Sequence, residues 1–377
     1  MKNILKTAYI VLFLAALCAV PVSFPFIKDK EFSENENRYL AAKPDFSFSG
    51  LTDGEFTKEA EKYIDDQFPL RDLWTSAKVN ILKAVGCRDI NGVYLCEDGY
   101  LIEKWLDSDF NSKQLKENIS AVNLFLTSHK SEKSSVIIVP TALEILSEKL
   151  PYGAPVFDQS DAFEIIEENI DSEIFYNPED ILIKHNNEYI YYRTDHHWTS
   201  YGAFLTYCGW TGKSEDVTVK EYDITCATNS FLGSLYSKVP GLKCKNDEIF
   251  LYNERNNNTY TVSYDYGRTE TDSIYADNHL SEKDKYLVFL DGNHPEITIR
   301  TYLKNNRKLL IFKDSYANSF IPFLLSDYEE IHIIDPRYFN RKIDEYISEN
   351  GINEFLFLYN IKNFCEDSSL SKVLYTG

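Results

Sequence analysis

Positive charge is scarce in this 377-residue chain: 39 Lys and Arg stand against 59 Asp and Glu, a formal net charge of −20. A field of that sign repels nucleic acid and other polyanions at long range, which excludes nucleic-acid binding as a role. The acids are spread along the chain, and solubility alone accounts for them. Methionine is missing apart from Met1, whereas Tyr (27) and Phe (24) abound. Aromatics in that number fill a core or line a sugar-binding cleft, core filling being the usual fate. No internal repeat or low-complexity tract is present, which leaves a globular chain. The seven cysteines show no Cys-x-x-Cys spacing, so zinc-ribbon and redox motifs are absent. Cys87 and Cys96 flank an Asn91-Gly92 turn and could bridge a hairpin after export; free buried thiols fit equally well.

Charge is missing altogether between Ala8 and Ile27. A helix over that run would span about 30 Å, the thickness of a bilayer core. Lys2 and Lys6 precede it, which favours the N-terminus inside and the remainder exported. A cleaved signal peptide is the rival reading, but no clean small-x-small cleavage site stands out. Leu17 is too bulky for Cys18 to read as a lipidation site. Residues 1–27 are therefore expected to be a signal-anchor. The rest would lie outside the cell membrane, or be secreted if the segment is cleaved.

Residues 28–105 read as a linker followed by a helical stretch and a hairpin, the latter in NGVYLCEDGYLIE with its Asn-Gly and Asp-Gly turns. Residues 106–377 read as an α/β domain. Its elements include an amphipathic helix from Lys113 to His129, a buried strand in SSVIIVP (134–140), and a helix from Ala162 to Ser172. YIYYR (189–193) reads as a strand, and Thr199 or Ser200 as the cap of a helix through Gly209. Residues 215–305 contain short β-like runs, among them VTVKEYDI and YLVFLD, and read as a β-rich insertion. Beyond it, KLLIFKDSYANSF, EIHIIDPRYF and EFLFLYN alternate strand and helix patterns, the mark of a parallel sheet flanked by helices.

Two segments carry the chemistry. Ser315 follows the strand Leu309 to Lys313 and opens an expected helix, Tyr316 to Leu325. Backbone N–H groups and the helix dipole there could stabilise an oxyanion. Equally, Ser315 or Asp314 could merely cap the helix. The second segment is Asp195-His196-His197-Trp198. A serine needs a base, usually histidine, and that base needs a carboxylate on its other nitrogen. Asp195 and His197, two apart in extended chain, point to one side, so Asp195 could orient His197 while His196 faces away. Asp-His-His could also ligate a divalent ion, but the remaining histidines (129, 185, 279, 294 and 332) are scattered, and no metal or cofactor is expected.

YYRTDHHWTSYGA resembles the motif of the DHHW family, proteins similar to exported alginate O-acetyltransferase-like proteins with an SGNH-hydrolase-like domain. SENENRYLAAKP, DDQFPLRD, DGYLIE, DGNHPEI, FKDSYANSFIPFL and IIDPRYF extend the resemblance over nearly the whole chain beyond residue 27. It implies an SGNH-hydrolase-like three-layer sandwich, mostly parallel, in circularly permuted order because Asp and His precede Ser. It also implies a triad of Ser315, His197 and Asp195. Asn360 would be the oxyanion-hole asparagine at the end of the third strand, with Asn293 a rival donor; His196, Trp198, Arg337 and Tyr338 would surround the site. The implied activity is that of a membrane-tethered O-acetyltransferase or acetylesterase on a cell-surface or extracellular polysaccharide, with a membrane O-acyltransferase as a possible acetyl supplier. The alternative is a non-catalytic glycan-binding or envelope-assembly protein with a degenerate triad. One departure is Lys313, which stands where the family serine motif has glycine; its side chain would have to point away from the nucleophile.

Overall fold

Eight strands form the central sheet of the computed structural model, which describes residues 6–11, 13–15, 24–129, 133–256 and 259–375. In chain order they are β1 (Lys133–Val139), β2 (Phe175–Tyr176), β3 (Tyr260–Tyr264), β4 (Thr269–Thr271), β5 (Glu296–Thr301), β6 (Lys308–Lys313), β7 (Glu330–Ile334) and β8 (Glu354–Asn360). Their spatial order is β4-β3-β5-β7-β6-β8-β1-β2. From β7 to β2 every pairing is parallel. On the other side β5, β3 and β4 continue the sheet antiparallel. β8 is buried at all of its positions, as a strand covered on both faces should be. The helix Ser112–Ser128, capped by the Asn111 side chain on the Gln114 N–H, lies against the sheet. Its Phe125 ring meets Phe355, Phe312 and Phe357 at 5.0, 5.3 and 5.8 Å.

The expected hairpin is a three-stranded antiparallel ribbon over Asp89–Ile90, Val93–Leu95 and Leu101–Glu103. Its first turn has positive φ at both Asn91 (52°) and Gly92 (76°), the conformation that Asn-Gly favours. Cys96 remains a free thiol, so it does not bridge Cys87; burial pushes its pKa up to about 12. The chain groups into two compact units, one running through Cys87 and taking in Ser237–Lys243, the other holding the ribbon, the sheet and the remaining residues. The ribbon thus groups with the α/β unit rather than with the linker. Residues 1–5, 12 and 16–23 of the expected anchor lie outside the described residues; among those described, no helix is long and apolar enough to cross a membrane.

Three sequence expectations change. Residues 215–305 do not form one β insertion. Tyr222–Phe231 pairs with Asp247–Glu254 as a separate antiparallel ribbon, while β3, β4 and β5 extend the central sheet. VTVKEYDI begins as the helix Glu215–Thr218, and YLVFLD holds a 3-10 turn, Lys285–Val288. YIYYR is not a sheet strand. The chain doubles back around the Asp-His-His-Trp segment, with Tyr192 N–H bonding His197 O (3.2 Å) and Thr199 N–H bonding Ile190 O (2.9 Å). These backbone bonds are therefore spent locally, while the Arg193 carbonyl accepts from Leu101 N–H (2.7 Å) and the Arg193 N–H donates to Asp247. Finally, Ser315 opens two 3-10 turns, Ser315–Ser319 and Ile321–Leu324, instead of an α-helix. Pro322 lacks the N–H that a continuous α-helix needs there.

Candidate active site

β6 ends at Lys313 between two parallel neighbours, so residues 314 and 315 emerge at the carboxyl edge of the sheet, where such folds place reactive groups. Asp314 does the capping. Its Oδ1 accepts from Tyr316 N–H at 2.9 Å, and its Oδ2 from Asn360 N–H (2.9 Å), Asn360 Nδ2 (2.6 Å) and Asn363 Nδ2 (3.0 Å). That leaves the Ser315 hydroxyl uncommitted to the turn, and it meets His197 instead. Ser315 Oγ and His197 Nε2 are 2.7 Å apart, and His197 Nδ1 lies 2.5 Å from Asp195 Oδ1. A carboxylate can only accept, so Nδ1 carries the proton. In the neutral ring Nε2 is then a bare acceptor facing the Ser315 O–H.

Asp195 is buried and ordered by two further bonds, from His197 N–H to Oδ1 (3.0 Å) and from Ser234 N–H to Oδ2 (2.7 Å). Burial alone would raise its pKa; the two neighbouring histidines and these donors outweigh it and hold Asp195 well below the usual carboxylate range. Burial is also the main influence on His197, and with His196 beside it the imidazole is pulled below its ordinary value despite Asp195. His197 is thus neutral at pH 7, the state in which it can take a proton.

His196 and Trp198 lie beside this relay. His196 Nδ1 is 2.7 Å from Ser234 Oγ, and its ring sits 3.8 Å from that of His197. The buried Trp198 donates its indole N–H to Tyr316 O at 2.9 Å, and Tyr316 OH returns a bond to His196 O at 2.6 Å. These two bonds lock the histidine loop to the serine turn.

Asn360 is brought next to the serine turn, yet its amide holds Asp314 and its Oδ1 accepts from Asn363 N–H. Asn293, Arg337 and Tyr338 belong to another cluster. Lys313 Nζ, fully buried, donates to Asn293 Oδ1 (2.9 Å) and Asn318 Oδ1 (2.8 Å) and lies 3.7 Å from Asp335. Arg337 grips Asp335 at 2.8 and 2.6 Å, and Tyr338 is half-exposed beneath the guanidinium. Burial draws Lys313 down to about 8. Its side chain is thus engaged by these partners, which is how the turn accommodates a lysine in place of glycine.

Asp195, His196 and His197 also have ligand atoms close enough together to hold a cation. The closest pair, Asp195 Oδ1 and His197 Nδ1, is already bonded through a proton, and among the described residues no other group of three His, Cys, Asp or Glu forms such a cluster.

Four residues at the site carry no sequence motif. Tyr286 lays its ring parallel to His197 (3.8 Å, 7°) and donates its hydroxyl to Ser315 O at 3.0 Å. Asp247 collects Arg193 N–H (2.8 Å), Thr194 N–H (2.7 Å), the Thr194 hydroxyl and Tyr189 OH (each 2.5 Å), fixing the chain just before Asp195. Gly233 lies so close that a Cβ there would fall 2.3 Å from Asp195. Ser234 is the fourth. Only the glycine could have been sought from sequence, and nothing in its surroundings singles it out.

Comparison with known proteins identifies the family and the fold. The family model described as DHHW protein matches residues 136–334. A DHHW family protein from Eubacterium siraeum is 27% identical, with a TM-score of 0.64 over 75% of this chain and 95% of that one. Bacillus cereus PatB1, solved with a sulfonyl adduct, is 24% identical, with a TM-score of 0.60 over 75% of this chain and 99% of that one. The O-acetyltransferase domain of Pseudomonas putida AlgJ is 13% identical at a TM-score of 0.46, over 76% of this chain and 99% of that one, too loose a likeness to carry an argument. No curated protein matches the sequence significantly.

Proposed function

The chain belongs to the DHHW family, and from that premise we propose that it is an SGNH-like serine O-acetyltransferase or acetylesterase, tethered outside the cell membrane and acting on a polysaccharide. The observation that carries the proposal is the unbroken contact from Asp195 through His197 to Ser315. The strand order fits a circularly permuted SGNH domain, in which β6, β7 and β8 stand for its first three strands.

In the first half-reaction Ser315 Oγ attacks the carbonyl carbon of an acetyl ester. His197 Nε2 takes the hydroxyl proton, and Asp195 holds the resulting imidazolium. Collapse of the tetrahedral intermediate expels the ester's alcohol, which leaves with the proton from His197, and Ser315 keeps the acetyl group. A sugar hydroxyl or water then gives its proton to His197 and attacks the acetyl-serine. Ser315 is released with its own proton restored. The proton balance closes in each half, and no metal or cofactor is required. A membrane O-acyltransferase would be a suitable source of the acetyl group. Asn360 and Asn293 are the candidate oxyanion donors: Asn360 has an amide N–H on Asp314, and Asn293 has its carbonyl oxygen occupied by Lys313.

The test is labelling of the intact protein with a sulfonyl fluoride, followed by localisation of the adduct. Labelling at Ser315, abolished by Ser315→Ala, is expected. A folded protein that never labels and releases no acetate from 4-nitrophenyl acetate would favour the non-catalytic glycan-binding alternative.

A further inference from the structure

The unit that runs through Cys87 exposes an apolar stripe where its polar side would be expected. The helix Arg71–Ala84 has Val79 buried, yet Leu73 (60%), Trp74 (56%) and Ile81 (62%) are exposed. Leu70 (70%) just before it and Val85 (75%) just after are exposed too. At helical periodicity, positions 73, 74 and 81 fall on one side, opposite Val79, and Leu70 and Val85 flank the helix at its two ends. Scattered exposed apolar residues are ordinary, but a stripe around a tryptophan, with an exposed apolar residue at each end of its helix, marks a surface that something covers.

Two observations say what covers it. The first is the path of the chain. Lys30, three residues past the charge-free run Ala8–Ile27, is pinned to the start of this helix. Its N–H donates to Gln67 Oε1 (2.9 Å), its carbonyl accepts from Gln67 Nε2 (2.9 Å), and its Nζ pairs with Asp72 at 3.2 Å. Phe26 and Ile27, the end of the run, are exposed as well. A chain leaving a bilayer at Ile27 would therefore hold the helix within a few residues' reach of the membrane surface. The second is charge. In a chain of net charge −20, this helix pairs Arg71 with Glu36 and Asp72 with Lys30, and its other two charges, Lys78 and Lys83, are both positive. Lys78 borders the stripe, placed for its stem to lie along lipid and its ammonium to reach anionic headgroups.

We propose that the helix Arg71–Ala84 lies on the bilayer, with Leu70, Leu73, Trp74, Ile81 and Val85 in the boundary between headgroups and acyl chains. This goes beyond the acetyl-transfer reading and rests only on its anchored N-terminus. The surface acts as a collar that fixes how the tethered chain meets the membrane.

Tryptophan emission of the full chain tests it, in vesicles of phosphatidylcholine and phosphatidylglycerol with or without bromine on the acyl chains. The four tryptophans separate cleanly: Trp105 and Trp198 are buried, Trp210 is half-buried, Trp74 is exposed, and residues 8–27 contain none. Flotation with the vesicles reads the anchor, and quenching reads the helix. Quenching by brominated lipid that disappears in Trp74→Phe is expected, with sulfonyl fluoride labelling of that variant unchanged as a check on its fold. Protein that floats while Trp74 answers only to aqueous iodide would overturn the proposal and leave the anchor standing. Protection of Trp74 from both quenchers would also overturn it, assigning the stripe to a second copy or to the rest of the chain. Protein that does not float would overturn both.

Discussion

Asp195→Asn removes one charge from the relay while keeping its shape. At a charge separation of about 4 Å and an effective dielectric of about 20, the attraction between the carboxylate and a protonated His197 is worth about 4 kcal/mol. At about 1.4 kcal/mol per tenfold, its loss from the transition state predicts a fall in kcat of about a thousandfold. The hydrogen bonds make the loss harder to escape. Asp195 Oδ1 faces two His197 donors and Oδ2 faces Ser234 N–H, so both oxygens accept. An asparagine must turn its NH2 group toward one side. Toward Ser234, two donors collide. Toward His197, the amide forces the proton onto Nε2, which can then no longer accept from Ser315. The assay is acetate release from 4-nitrophenyl acetate, with urea unfolding run alongside to establish that the variant is folded. A folded Asp195→Asn protein that keeps a tenth or more of wild-type kcat would refute the relay, because the carboxylate would then be a structural group only.

The pH profile should place the acid limb of kcat/KM below the ordinary histidine value of about 6.5, because burial holds His197 neutral to lower pH; a limb at or above that value would count against His197 as the base. Gly233→Ala should lower activity sharply and destabilise the fold by about 1–3 kcal/mol, since the new Cβ meets the buried Asp195 side chain at 2.3 Å; unchanged urea midpoint and activity would contradict the packing. Asp247→Ala strands the N–H groups of Arg193 and Thr194 and should cost about 1–3 kcal/mol in unfolding free energy, with kcat falling as the loop before Asp195 loosens. Tyr286→Phe keeps the ring on His197 and loses the hydroxyl's bonds to Ser315 O and Ser319 Oγ, so it should retain more activity than Tyr286→Leu in the same assay.

Legibility in the sequence followed the strength of local signals. The β-branched run 134–139 could only be a buried strand, and the Asn-Gly and Asp-Gly turns of the ribbon demand positive φ, which those residues supply. Thr199 was readable as a cap and accepts from Gly202 N–H at 3.3 Å. YIYYR failed because its strand propensity is real but Ile190 and Tyr192 find their backbone partners in their own neighbours around the Asp-His-His-Trp loop, and Arg193 finds its partners in Leu101 and the Asp247 side chain. The turns after Ser315 failed because an apolar, aromatic stretch reads as a helix until Pro322 is weighed.

The gap in the site has one physical origin. Asp195, His197 and Ser315 come together because the loop before Thr199 and the end of β6 meet, and a motif could suggest that pairing. The groups that hold them still come from residues 233–286, which carry no recognisable motif: Gly233 and Ser234 against Asp195, Asp247 behind Thr194, Tyr286 over His197. Side chains of that kind act through bonds made across 29 to 53 positions of sequence, so no local pattern reveals them. A region that reads as a peripheral insertion is therefore part of the site's support. Its ribbon and loops would tolerate change at exposed positions, but changes at Gly233, Asp247 or Tyr286 should register in the chemistry before they register in the fold of the sheet.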